Sequence, residues 1–249
     1  ITLPEIQGGI QQELLKQTLL GIKSALQPQG AKLIGGHTLE TRNITPDLFA
    51  LGVDVSLTVN GFLPSGKKPW PISGLKPGDI LMLSRGIGSG VIFAASMQSK
   101  IRTMILDEAL CTLQKSQHTL LNNLFEIEER FPDINPIHAC TDITGFGLLG
   151  HLGQMLNSSN HVRKRLNLQS LGVELKAEKI PSLNGSIELL NKGFRSTLSP
   201  FNRNSLSLLE PINNKPLVKL SLGSIKYGSE DHLSLNELII DPQTCGPLL

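Results

Sequence analysis

Asp142 stands between two hydroxyl residues in the run Thr141-Asp142-Ile143-Thr144-Gly145-Phe146-Gly147, where an apolar stretch gives way to a helical pattern. Free N–H groups at a helix start favour negative charge. A bare carboxylate there would repel a phosphate. A carboxylate holding Mg2+ would attract one, and Mg2+ is commonly held by one or two carboxylates together with the phosphates themselves. Asp142 is therefore a candidate metal ligand, with a plain helix cap as the competing reading. A second candidate is the turn Gly35-Gly36-His37-Thr38. Two adjacent glycines let backbone N–H groups approach an anion, because no β-carbon blocks the way. His37 and Thr38 add donors, and relief of a tight turn is the alternative. A third series, Gly86, Gly88 and Gly90, lacks the third glycine at the required spacing and the later acidic residue of a dinucleotide fingerprint, so it reads as helix–sheet packing. His151 reads as structural or inter-subunit. No Gly-x4-Gly-Lys followed by Ser or Thr occurs, so a nucleotide would be held by another scheme.

Several elements must position these residues. Leu15, Leu19, Ile22 and Leu26 repeat at spacings of four, three and four, which predicts an amphipathic helix over 11–27 that Pro28 and Gly30 end. A short buried strand is expected over 31–34, leaving its sheet at Gly35. Alternation of Phe49, Leu51, Val53, Val55, Leu57 and Val59 with polar residues predicts a long strand over 48–60. Residues 63–77, rich in Pro, Gly, Ser and Lys, read as a connection between domains. Beyond it, strands are expected over 79–84, 137–140 and 238–240, and helices over 91–97, 106–127 and from Leu148 through Leu156, with Thr144 as the cap of the last. Residues 195–229 carry no clear pattern. Two domains follow, 1–62 and 75–249, in an α/β fold.

The chain has 249 residues, 39% hydrophobic and 18% charged, an ordinary globular composition. A formal charge of +2 from 23 basic and 21 acidic residues gives no reason to expect a nucleic acid partner. No apolar run approaches the roughly 20 residues that cross a bilayer, so a cytoplasmic protein without membrane association is expected. Cys111, Cys140 and Cys245 show no paired spacing and read as reduced thiols in packing roles. The chain opens at Ile1 and stops inside an apolar stretch, which reads as part of a longer protein.

The run Ala139-Cys140-Thr141-Asp142-Ile143-Thr144-Gly145-Phe146-Gly147-Leu148-Leu149-Gly150-His151-Leu152 resembles the selenophosphate synthetases, of the superfamily that includes aminoimidazole ribonucleotide synthetase. Gly35-Gly36-His37-Thr38, Lys76-Pro77-Gly78-Asp79 and Asp241-Pro242-Gln243-Thr244 support the resemblance in the same order along the chain. It implies a two-domain fold, with an N-terminal ATP-binding domain whose strands build a barrel in a homodimer and a C-terminal α/β domain. It implies a reaction as well: ATP, selenide and water give selenophosphate, AMP and phosphate, with Mg2+ on the phosphates. By the same match Asp142 is a metal ligand, and Gly35, Gly36, His37 and Thr38 belong to the nucleotide site.

The family's reactive cysteine or selenocysteine and its lysine match nothing in this chain and are expected upstream of Ile1, so the chain alone is expected to be inactive. The last motif continues Cys245-Gly246-Pro247 where the family has Ser-Gly-Gly, and Pro247 removes an N–H. Gly193-Phe194-Arg195-Ser196-Thr197 resembles a version of the family fused behind a pyridine-nucleotide oxidoreductase, which implies such a domain upstream. The alternatives are a superfamily enzyme acting on an amide or carbamoyl group, and a degenerate nucleotide-binding or dimerisation module of a fusion protein.

Overall fold

The spacing of Leu15, Leu19, Ile22 and Leu26 is realised as helix α1 (Gly8–Leu26) in a computed structural model that describes residues 1–6, 8–41, 52–209, 211–212 and 215–249. A 3-10 turn at Gln27–Gln29 follows, and Gly30 closes it with φ 65°. The described residues divide into two units, Ile1–Lys68 and Pro69–Leu249. In the first, β1 (Thr2–Pro4) pairs in parallel with β2 (Leu39–Thr41).

Two expected strands of this unit are corrected. Residues 31–34 form no buried strand, and Ile34 is 94% exposed. Of the strand expected over 48–60, residues 48–51 lie outside the described residues. Over 52–60 and among the described residues, only Asp54 pairs, exchanging two backbone hydrogen bonds with Thr2 (2.8 and 3.0 Å). The alternation survives as exposed Val55, Leu57 and Val59, because a strand exists only where a neighbour takes its N–H and C=O groups. The barrel implied by the resemblance is not among the described elements.

The second unit is built around α5 (Gly147–Arg165). Leu148, Leu152, Met155, Leu156 and Ser159 recur at helical spacing, so one face of α5 is continuously buried. Against it and its neighbours pack α2 (Ser89–Met97), α6 (Ser186–Asn191) and α8 (Glu230–Ile240). Each fully buried Leu or Ile contributes roughly 1.5–3 kcal/mol, and Ile87, Ile143, Leu149, Leu152, Ile239 and Ile240 are all 0% exposed. A parallel pair, β3 (Val173–Lys176) with the later strand at Val218–Ser221, registers Val173 with Val218 and lies beside this core. Among the described residues, no helix is long and apolar enough to cross a membrane.

Three expectations for this unit are corrected. The helix expected over 106–127 is two, α3 (Thr103–Gln114) and α4 (His118–Arg130). Arg85 donates to the carbonyls of Thr112, Leu113 and Lys115, taking the acceptors a continuing helix would use. Residues 79–84 and 137–140 join no strand ladder among the described residues. Leu81 and Leu83 pack on the core while Ile80 and Met82 face outward, and Ser84 N–H reaches Leu248 O (3.0 Å). Residues 238–240 end α8 rather than forming a strand. A short apolar run does not distinguish the two by periodicity; the deciding signal is at the helix start, where Ser229 Oγ accepts from His232 N–H (3.3 Å) ahead of Glu230 and Asp231.

The stretch without a sequence pattern also folds. It contains α7 (Ser199–Asn202), a 3-10 segment at Arg203–Leu209, the antiparallel pair β4 (Pro211–Ile212) and β5 (Lys215–Pro216), then β6 (Val218–Ser221), the partner of β3. Buried Glu237 on α8 anchors it through Arg195 (3.0 Å), Arg203 and Ser199 Oγ (3.2 Å). Removing one member of a buried ion pair commonly costs 3–5 kcal/mol. Because both arginines retain access to water, Glu237→Ala is expected to lower unfolding stability by about 2–4 kcal/mol, measured by urea unfolding of the second unit's transition.

Candidate functional site

Asp142 is fixed by its backbone and left free at its side chain. Thr141 and Leu249 exchange both hydrogen bonds (2.9 Å each), and Ile143 N–H donates to Pro247 O (2.8 Å), so Asp142 sits opposite Leu248 in an antiparallel pairing. The fourth bond of that ladder would come from an N–H at 247, which proline lacks. The pairing nevertheless persists, and Gly246 lies so close that a β-carbon there would stand 1.8 Å from Ile143 O. The Asp142 side chain is exposed, and among the described residues none forms an ion pair with it.

The loop after Asp142 is held from beneath. Thr144 is not the cap of α5; Phe146 occupies that position, and no side chain caps it. Instead Thr144 N–H donates to His151 Nε2 (3.1 Å), while Thr144 O accepts from Gln243 N–H and Gly147 N–H (3.0 Å each). Burial pushes the His151 pKa down against the pull of Asp142, and a ring nitrogen that accepts an N–H must carry a lone pair. His151 is thus a neutral structural support, in keeping with its reading from sequence.

Asp241 and Gln243 have a role that sequence reasoning missed. Gln243 Oε1 accepts from the N–H of Gly88 (2.9 Å) and Ser89 (3.2 Å) and from Ser89 Oγ (3.1 Å). Asp241 Oδ2 accepts from Gly90 N–H (2.9 Å), and Val91 N–H bonds the same carboxyl. The N–H groups that open α2 are therefore satisfied by side chains 150 residues later. A β-carbon at Gly90 would stand 2.4 Å from Pro242 O and one at Gly88 2.5 Å from Ser186, so these glycines are required by packing, but against helices α6 and α8 and the segment after α8 rather than against a sheet. The available signal was the pairing of an uncapped helix start with a buried Asp-x-Gln, and no local pattern joins the two.

The cysteines depart in part from a packing role: Cys111 and Cys245 are exposed. Cys140 is half-buried, and burial together with the Asp142 charge pushes its thiol pKa up. Gly35, Gly36, His37 and Thr38 lie in an exposed loop of the first unit, whereas Asp142 is in the second, and each is described within its own unit. Neither Gly35 nor Gly36 takes a positive φ, and nothing lies within 4 Å of a β-carbon at either, so neither strain nor crowding among the described residues demands glycine. A cleft of about 230 Å3 beneath Ile80 and Met82 is lined chiefly by apolar side chains and does not include Asp142.

The fit to Mg2+ is that of a single ligand. Among the described residues no group of three or more His, Cys, Asp or Glu could hold an ion, and one unpaired carboxylate matches the one or two that Mg2+ takes beside phosphate oxygens.

Residues 76–187 match the family described as AIR synthase related protein, C-terminal domain. Over nearly its whole length the chain is similar to curated proteins named selenide, water dikinase. The one from Desulfitobacterium hafniense is 28% identical over 235 residues, 94% of this chain and 56% of that protein. The one from Treponema denticola is 28% identical over 238 residues, 96% of this chain and 55% of that protein. The one from Caldanaerobacter subterraneus subsp. tengcongensis is 30% identical over 237 residues, 95% and 56%. The chain spans about half the length of the curated relatives it matches.

Burial raises the Asp241 carboxyl from an ordinary 3.8 to about 7, with Glu237 adding to the rise and the N–H groups of Val91 and Gly90 opposing it. The folded state therefore favours the neutral form. That contribution is fully present below the unfolded value and is lost as pH rises through about 7. Stability is expected to fall between about pH 4 and 7 by on the order of 4 kcal/mol from this group alone. Asp241→Asn should remove that part of the decline, read as the difference between variant and parent in unfolding free energy across the range.

Proposed function

We propose that this chain, whose residues 76–187 carry an AIR synthase related C-terminal domain, is part of an enzyme that makes selenophosphate from selenide, ATP and water, releasing AMP and phosphate. The observation that carries the reading is Asp142: a backbone locked by the pairing with 247–249, a side chain free in solvent, and neutral His151 under the loop. The similarity to selenide, water dikinases along the chain supports it.

In this reading selenide takes the γ-phosphoryl group of ATP, the Se–P bond forming as the β–γ bridging P–O bond breaks. The remaining diphosphate is then hydrolysed to AMP and phosphate. Both steps bring a nucleophile to a polyanion, so positioning and charge neutralisation supply most of the catalysis. Bound Mg2+ would supply that neutralisation at phosphate oxygens. Asp142 would hold the ion. Gly35, Gly36, His37 and Thr38 would offer N–H and side-chain donors to nucleotide phosphate; the absence of any packing demand for glycine at 35 and 36 among the described residues supports this role. The residues that engage selenide are proposed to lie in the part of the relatives that the chain does not span. The exposed apolar side chains of Val55, Leu57 and Val59 suit a face covered in a homodimer.

In the intact protein, Asp142→Asn is expected to lower AMP formation from ATP and selenide by at least about 100-fold. The thermal transition should be unchanged, because the variant keeps every backbone bond of the pairing. Wild-type rates in that variant would remove Asp142 from the reaction.

A further inference from the structure

Asn202 lies in the segment of the chain that carries no sequence pattern, on α7, and is 9% exposed. Its Nδ2 donates twice: to Gly145 O (2.8 Å), three residues after Asp142, and to Ile240 O (2.9 Å), the residue before Asp241. One amide group thereby joins the tip of the Asp142 loop to the end of α8. Gly145 O is the loop's third anchor, after the bond from Thr144 N–H to His151 and the bonds at Thr144 O. Gly145 itself is exposed and meets no other atom within 4 Å of a β-carbon position.

α7 is in turn held rigidly. Ser199 Oγ donates to Glu237 (3.2 Å), and Glu237 also takes Arg195 and Arg203 on either side of α7. The Nδ2 group that reaches the loop is therefore fixed through contacts to buried Glu237 on α8 rather than by the loop it supports. An outer residue of this kind sets the orientation of a ligand it never touches, and its loss commonly weakens metal binding 10–100-fold.

We propose that Asn202 is a positioning residue for the metal-binding carboxylate, its single amide clamping Gly145 O and Ile240 O so that Asp142 keeps one orientation. The proposal rests on the reading of Asp142 given above. Asp at 202 keeps the shape but has no N–H to give and faces two carbonyl oxygens; Ser has a donor but too little reach to bridge both.

The test uses the intact protein with Asn202→Asp and Asn202→Ser, and Ser159→Ala as a control. The control deletes a different buried hydrogen bond, from Leu75 N–H to Ser159 Oγ on the far half of α5. Two quantities are measured: amide hydrogen exchange over 141–147 in protein without added metal, and the Mg2+ concentration giving half-maximal AMP formation at saturating ATP. In both Asn202 variants, exchange over 141–147 should rise while 148–156 stays protected. Half-activating Mg2+ should rise about tenfold, with the KM for selenide unchanged. Ser159→Ala should move neither quantity. Unchanged exchange in both variants overturns the clamp. Raised exchange with unshifted Mg2+ dependence, in a parent that is active, overturns the positioning role alone. A folded parent with no Mg2+-dependent AMP formation removes the reading of Asp142 and the positioning role together, even if exchange rises as expected.

Discussion

The N–H groups at the start of α2 lie in the dry centre of the second unit, and the chain satisfies them from its far end. Ser89, Val91 and Ile92 are fully buried, so an unmet N–H there would cost on the order of 1–3 kcal/mol each. Gln243 and Asp241 take them. Once these two side chains are docked, little freedom remains for residues 244–249. Thr244 N–H bonds Ser89 Oγ (2.8 Å), Arg85 holds Cys245 O (3.3 Å) and Gln117 holds Gly246 O (3.2 Å). The segment that emerges, 247–249, is the one that pairs with 141–143. The position of Asp142 is thus a downstream consequence of a helix start that needed capping.

The same chain of constraints explains what the sequence discloses. The Asp142 run was legible because its residue types are local: a carboxylate between hydroxyls, then glycines, then Leu148 and Leu152 at helical spacing. Helix α1 was legible for the same reason. Residues 238–240 were misread because three buried apolar residues look alike in a strand and at a helix end, and the capping Ser229 lies nine positions before them. The break between α3 and α4 was not legible because its cause, Arg85, acts from another segment. Asn202 was not legible at all. An Asn in a polar stretch has no signature until the fold brings Gly145 O and Ile240 O to the same amide.

Alternation over 52–60 is a different kind of miss. The pattern was read as a strand with one buried face, and that face is not buried: Val55, Leu57 and Val59 are exposed, because pairing is a property of two segments. With Thr2 as the described partner at Asp54, the apolar face remains exposed. In the 79–84 segment Leu81 and Leu83 do pack on the core, yet among the described residues no ladder forms. Periodicity specifies which side chains would share a face; whether that face is buried, and which segment pairs with it, is decided elsewhere in the chain.

A carboxylate that is to hold a dication needs a fixed backbone and no competing cation, and these demands pull against each other, because groups that anchor a loop are usually polar or charged. Around Asp142 the anchors are neutral. His151 holds the loop through a lone pair, and burial keeps its pKa down despite the nearby carboxylate. Cys140, two residues away, is kept as a thiol by burial and by the Asp142 charge itself. Asn202 holds with an uncharged amide, while the arginines that steady it are themselves bound to Glu237. A lysine or arginine in any of these places could anchor the loop as firmly, but its charge would compete with a metal ion for the same oxygens. With neutral supports, no described residue forms an ion pair with Asp142 where the loop meets solvent, which is the condition under which one carboxylate can contribute to holding a cation that phosphate oxygens help to complete.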